Sequence, residues 1–118
     1  MFDALISASE LLAELHARAD RVLLCDTSFD LADVQAGERA YAQAHLPGAV
    51  YLHLDRDLSS PRTGRNGRHP LPEREAFAQR MATLGANAST TVVAYDRSGG
   101  MYAARLWWML RWLGHDDR

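Results

Sequence analysis

The stretch Thr91-Val92-Val93-Ala94-Tyr95-Asp96-Arg97-Ser98-Gly99-Gly100-Met101-Tyr102-Ala103-Ala104-Arg105-Leu106-Trp107-Trp108-Met109-Leu110-Arg111 decides how the chain is read. Its first five residues are a short apolar, β-branched run, which predicts a strand buried on both faces. Asp96 to Gly100 is small and polar and predicts a tight loop. The loop opens directly onto an apolar helix from Met101 to Leu113. Working outward, Pro72 starts an earlier helix with Glu73 and Glu75 in its first turn, where the helix dipole favours anions. Phe77, Met81 and Leu84 face inward along it, and Gly85 stops it.

Further toward the N-terminus, Val22 to Cys25 is a second buried run closed by Asp26-Thr27-Ser28, and Ala49 to Leu54 reads as another strand. Between them lie a short helix around Gly37 to Gln43 and the turn His45-Leu46-Pro47-Gly48, whose Pro fixes one φ and whose Gly frees the next. Asp55 to Pro70 is too broken for regular structure and is expected to be a solvated surface loop carrying Arg56, Arg62, Arg65 and Arg68. Ser7 with Glu10 forms a capping-box pattern, so a first helix is predicted from Ala8 to Ala19 with Leu11, Leu12 and Leu15 on one face. Strands alternating with helices at this spacing predict an α/β fold, a mostly parallel sheet with helices on both faces. Ligands of such sheets sit beyond the carboxyl ends of the strands. The Asp96 to Gly100 loop lies there.

Composition narrows the function classes. The 118 residues are 47% hydrophobic and 24% charged, which suits a single domain, residues 1–118. The formal charge of -2 leaves no basic field for nucleic acid. All 13 basic residues are Arg, read here as compositional bias. The single cysteine cannot form an internal disulfide, as expected of a reducing compartment, and the cytoplasm is the default. Asp3, Glu10 and Glu14 precede any basic residue, the wrong charge order for a secretory signal. The apolar helix from Met101 is too short for a bilayer and carries Arg105 and Arg111, so no membrane association is expected.

A loop of small residues feeding a helix N-terminus aims several backbone N–H groups at one point and favours an anion there. A Cys at its first position would be an activated thiolate nucleophile. That position is Asp96, whose carboxylate satisfies the donors from inside but cannot accept, store and release a sulfur atom. A structural cap is the reading preferred over general acid or base work. Cys25 lies within an apolar run, where cysteines behave as small hydrophobes. The residue six places after it is Leu31, not the Arg that a cysteine-phosphatase loop needs. G-x-S-x-G, Walker and G-x-G-x-x-G motifs are all missing. His53, Asp55 and Asp57, with His69 folding back, have the alternation of a ligand set, but carboxylates after a strand more often solvate a turn, and neither a metal nor a cofactor is expected.

Three segments together resemble the rhodanese domain: Leu24 to Ser28, Tyr41 to Val50 with its His45-Leu46-Pro47-Gly48-Ala49 core, and Val92 to Gly100 leading into Met101 to Arg111. Asp96 in place of Cys, and the Trp107-Trp108-Met109 helix followed by Leu113-Gly114-His115, are similar to the N-terminal, non-catalytic half of the two-domain thiosulfate and 3-mercaptopyruvate sulfurtransferases. The resemblance implies a persulfide mechanism on a Cys of a second, C-terminal domain, with a small-molecule sulfur donor. It implies that Asp96, Arg97, Ser98, Gly99 and Gly100 are a degenerate active-site loop without a catalytic role. His45 matches a histidine on the substrate side of mercaptopyruvate enzymes, although capping of its own turn is the simpler account.

The family's sheet has five parallel strands in order 3-2-4-5-1, the fifth following the Trp-rich helix. That strand is missing before Arg118, and a strand of its size contributes about 5–10 kcal/mol of burial. The expectation is therefore an N-terminal rhodanese-like domain that is C-terminally incomplete, completed by the C-terminal catalytic domain's polypeptide or by a complementing chain. The alternative from another class is a free-standing non-catalytic module that binds a partner or small anion.

Overall fold

The computed structural model describes residues 5–65 and 67–114; Asp3 and His115 lie outside them. Ser7 caps the first helix, α1 (Ala8–Arg18), in a full capping box: its Oγ accepts from Glu10 N at 3.1 Å, and Glu10 Oε1 accepts from Ser7 N at 2.8 Å. A short 3-10 turn (Ala19–Arg21) then delivers the chain into β1 (Val22–Asp26). The remaining elements are α2 (Ala36–Gln43), β2 (Val50–Tyr51), α3 (Arg74–Thr83), β3 (Thr91–Tyr95) and α4 (Met101–Leu113).

The sheet is parallel with order β2-β1-β3, and β1 pairs along its whole length with β3, from Val22↔Thr91 to Asp26↔Tyr95. Strand alternation divides the core between two faces. Leu23, Cys25 and Val92 point to the side where α3 and α4 bring Phe77, Met81, Leu106 and Met109. Leu24 and Val93 point to the other, where Leu11 of α1 and Tyr41 of α2 pack. Helices therefore cover both faces, as the sequence predicts. Among the described residues β3 pairs only with β1, so its other side is an open edge.

Several local expectations change. The run Ala49 to Leu54 pairs as a strand only at Val50–Tyr51, because the chain turns at His53. Leu52, His53 and Leu54 are nevertheless buried. Leu12 does not share the inward face of α1: it is exposed, and α1 has no fully buried residue. Glu73 is the N-cap of α3 rather than part of its first turn. The long loop is not wholly solvated, since it buries Leu58 and Ser59, and Arg56 is paired with Glu38 at 2.7 Å.

Two glycines set the geometry around the carboxyl ends of the strands. Gly37, inside α2, lies so close to the end of β1 that a Cβ there would sit 1.9 Å from the Ser28 carbonyl oxygen. Gly100 caps α4 with φ +98°, a left-handed conformation that side-chain-bearing residues rarely adopt.

Candidate functional site

Beyond the carboxyl end of β3, Asp96 collects the backbone donors of its own loop. Oδ1 accepts from Ser98 N and Gly100 N, both at 2.8 Å. Oδ2 accepts from Tyr102 N at 2.8 Å and Ala103 N at 2.9 Å, two of the donors that an α-helix leaves unpaired in its first turn. Burial pushes the carboxyl up, but the four N–H groups outweigh it and hold Asp96 below its ordinary value. The loop thus contains its own anion. Arg97 and Ser98 are exposed on its outer side, and Arg97 Nη2 donates to the Ala44 carbonyl at 2.8 Å.

Tyr95 ties this loop to its neighbours. Its carbonyl accepts from Thr27 N at 2.9 Å and Thr27 Oγ1 at 3.1 Å, and its phenol accepts from Leu46 N at 3.0 Å. The His45 turn is therefore brought up to the end of β3. His45 itself is exposed: its Nδ1 lies 2.7 Å from the Tyr41 carbonyl, the geometry of a donated N–H, and its ring stacks on Tyr41 at 3.8 Å. Among the described residues its Nε2 has no hydrogen-bond partner.

Cys25 is fully buried, and burial raises its thiol to about 12. It stays protonated at neutral pH and is not exposed to a substrate. His53, buried in the core, accepts from Asp55 N at 3.1 Å through Nδ1 and bonds the Val34 carbonyl at 2.8 Å through Nε2, so the proton belongs on Nε2. Asp57 accepts from His53 N and from Arg80 Nε. These residues pin a turn instead of converging on an ion, and among the described residues no group of three or more His, Cys, Asp or Glu is arranged to hold a metal. No described helix is long and apolar enough to cross a membrane.

Some residues that shape the site were not singled out by sequence. Tyr51 donates to the Ser28 carbonyl at 2.7 Å and Gly37 packs on the same group, fixing where β1 ends. Arg105, partly buried and with its guanidinium lowered by desolvation, donates to the Leu58 carbonyl at 2.9 Å and the His69 carbonyl at 3.0 Å. The only sequence signal for it is an Arg interrupting an apolar helix.

Comparison with known proteins agrees with this fold. Residues 7–117 match the family model described as rhodanese-like domain. The chain is 43% identical over 114 residues to a protein of Pseudomonas aeruginosa described as a probable 3-mercaptopyruvate sulfurtransferase, covering 96% of this chain and 39% of that protein. It is 40% identical to human 3-mercaptopyruvate sulfurtransferase, covering 95% of this chain and 38% of the human one. Among solved structures, 3-mercaptopyruvate sulfurtransferase from Leishmania major superposes with a TM-score of 0.77 at 30% identity, over 88% of this chain and 29% of that one. The chain thus spans well under half the length of the relatives it matches.

Proposed function

Because the chain belongs to the rhodanese-like domain family, we propose that it is the N-terminal, non-catalytic domain of a two-domain sulfurtransferase acting on thiosulfate or 3-mercaptopyruvate. In that reaction a Cys thiolate of a second rhodanese domain attacks the donor's outer sulfur, breaking the S–S bond of thiosulfate with release of sulfite or the C–S bond of 3-mercaptopyruvate with release of pyruvate, and the persulfide so formed passes its outer sulfur to a thiol or cyanide. In this reading residues 1–118 support that domain through packing, in the cytoplasm, and His45 stands on the substrate side.

The observation that carries the proposal is Asp96. The loop that would activate a thiolate holds a carboxylate bonded to four backbone N–H groups. The chain's one thiol is buried elsewhere and does not ionise at neutral pH. The same carboxylate weighs against a small dissolved anion as the ligand of this loop, since its donors are already taken.

The test is to load the full-length polypeptide with thiosulfate or 3-mercaptopyruvate, digest it without reductant, and locate the persulfide by mass spectrometry. It is expected on a peptide outside residues 1–118, with Cys25 unmodified. Persulfide on Cys25, or cyanide-trappable sulfur produced by residues 1–118 alone, overturns the reading.

A further inference from the structure

A cleft of about 500 Å³ lies between the segment leaving β1 and the 96–100 loop, with Ser28, Phe29, Asp30, Gly37, Arg97 and Tyr102 among its lining residues. Its size is within the range of small-molecule sites. It does not use the inner side of the Asp96 loop, where the carboxylate already sits.

The walls carry opposite charges that do not meet. Arg97 donates one N–H to the Ala44 carbonyl, and Asp30 Oδ1 accepts one from Ala32 N at 2.8 Å. Among the described residues neither forms an ion pair. Ser28 is 1% exposed, and among the described residues its Oγ has no hydrogen-bond partner, an arrangement that buried hydroxyls rarely keep. The ring of Phe29 turns away into the core against His53, His69 and Tyr102, so the accessible apolar lining is Leu31, which is 56% exposed, with half-buried Ala36 and Ala40.

These features select among ligand classes. A simple anion would meet Arg97 but face the Asp30 carboxylate, and a simple cation would face the reverse mismatch. A neutral apolar molecule would desolvate both charges without replacing their water. A zwitterion with a short apolar side chain matches both charges and the apolar lining. We propose that this cleft binds a free α-amino acid with an apolar side chain, its carboxylate toward Arg97, its ammonium toward Asp30 and its side chain against Leu31, Ala36 and Ala40. The proposal stands apart from the sulfurtransferase reading, because it needs neither a thiolate nor a second domain's chemistry.

The experiment is calorimetric titration of the full-length polypeptide with L-leucine, N-acetyl-L-leucine, which lacks the ammonium, and L-leucinamide, which lacks the carboxylate. Saturable binding of L-leucine is expected, with each single-charge analogue weaker by roughly tenfold or more. Arg97→Gln and Asp30→Asn should each weaken L-leucine by a similar factor. Arg97→Gln should also erase the preference for L-leucine over L-leucinamide, and Asp30→Asn the preference over N-acetyl-L-leucine, a crossover that misfolding cannot mimic. No saturable heat at millimolar L-leucine overturns the proposal. So does binding that neither variant alters, or analogues that bind as tightly as L-leucine. The readout is heat of binding, so its failure leaves the persulfide test untouched, and the reverse also holds.

Discussion

Asp96 is bonded as a cap, although it lies four residues before the N-cap position of the helix it serves. Replacing it with Ala removes four acceptor contacts and should destabilise the fold by about 2–3 kcal/mol, measured by chemical denaturation of the full-length polypeptide. Its carboxyl is held below its ordinary value, so the stabilisation is complete above the ordinary Asp range and is lost as pH falls through the lower folded value. The stability difference between wild type and Asp96→Asn should therefore be flat above about pH 5 and shrink in more acid solution. A difference that grew on acidification would contradict the bonding described. Sequence alone located this residue, because Asp-x-Ser-Gly-Gly between a strand and a helix has few other readings. It could not show that one carboxylate serves two helix donors as well as two loop donors, which depends on the positive φ of Gly99 and Gly100 folding the loop back.

At the scale of elements, α2 and α4 show two different kinds of dependence on a single side chain. For an ordinary helix position Gly→Ala gains about 1 kcal/mol, but at Gly37 the new methyl would overlap the Ser28 carbonyl. Gly37→Ala should accordingly lose about 2–4 kcal/mol, the overpacking term outweighing propensity, as a thermal melt will show. Arg105 on α4 holds both ends of the long loop through the carbonyls of Leu58 and His69, 47 and 36 residues away. Arg105→Ala should cost about 2 kcal/mol and speed proteolytic cleavage between residues 60 and 68. Arg105→Lys should not restore protection, since an ammonium lacks the planar fork. Helix α4 and strand β3 were legible to the residue because Gly100 and Gly114 bracket one and a continuous apolar run marks the other. Strand β2 was not, because Leu52-His53-Leu54 has the composition of a strand. Its chain turns when the His53 ring accepts from the backbone of Asp55, a choice made by a side chain rather than by a pattern. The cleft beside Arg97 was equally invisible, because Asp30 and Arg97 are brought to it by strand pairing across most of the chain.

For the whole molecule, the open edge of β3 and the half-exposed Trp108 on α4 leave apolar and hydrogen-bonding surface without cover among the described residues. Such an edge is a template for another strand. A further strand laid on it would contribute about 5–10 kcal/mol, comparable with the total stability of a domain, about 5–15 kcal/mol. Residues 1–118 alone are thus expected to associate or to melt without cooperativity in light scattering and calorimetry, and a monomeric, cooperative melt would refute that. The overall α/β architecture was legible because the order of apolar runs and helical faces fixes it. The pairing of β1 with β3 carries a last consequence for how the molecule assembles. Thr27 finds its partner carbonyl 68 residues later, at Tyr95. Contacts of such long sequence separation form slowly, so on the ribosome the central strand must emerge and wait, with its β3 side unpaired, until a further 68 residues have followed it.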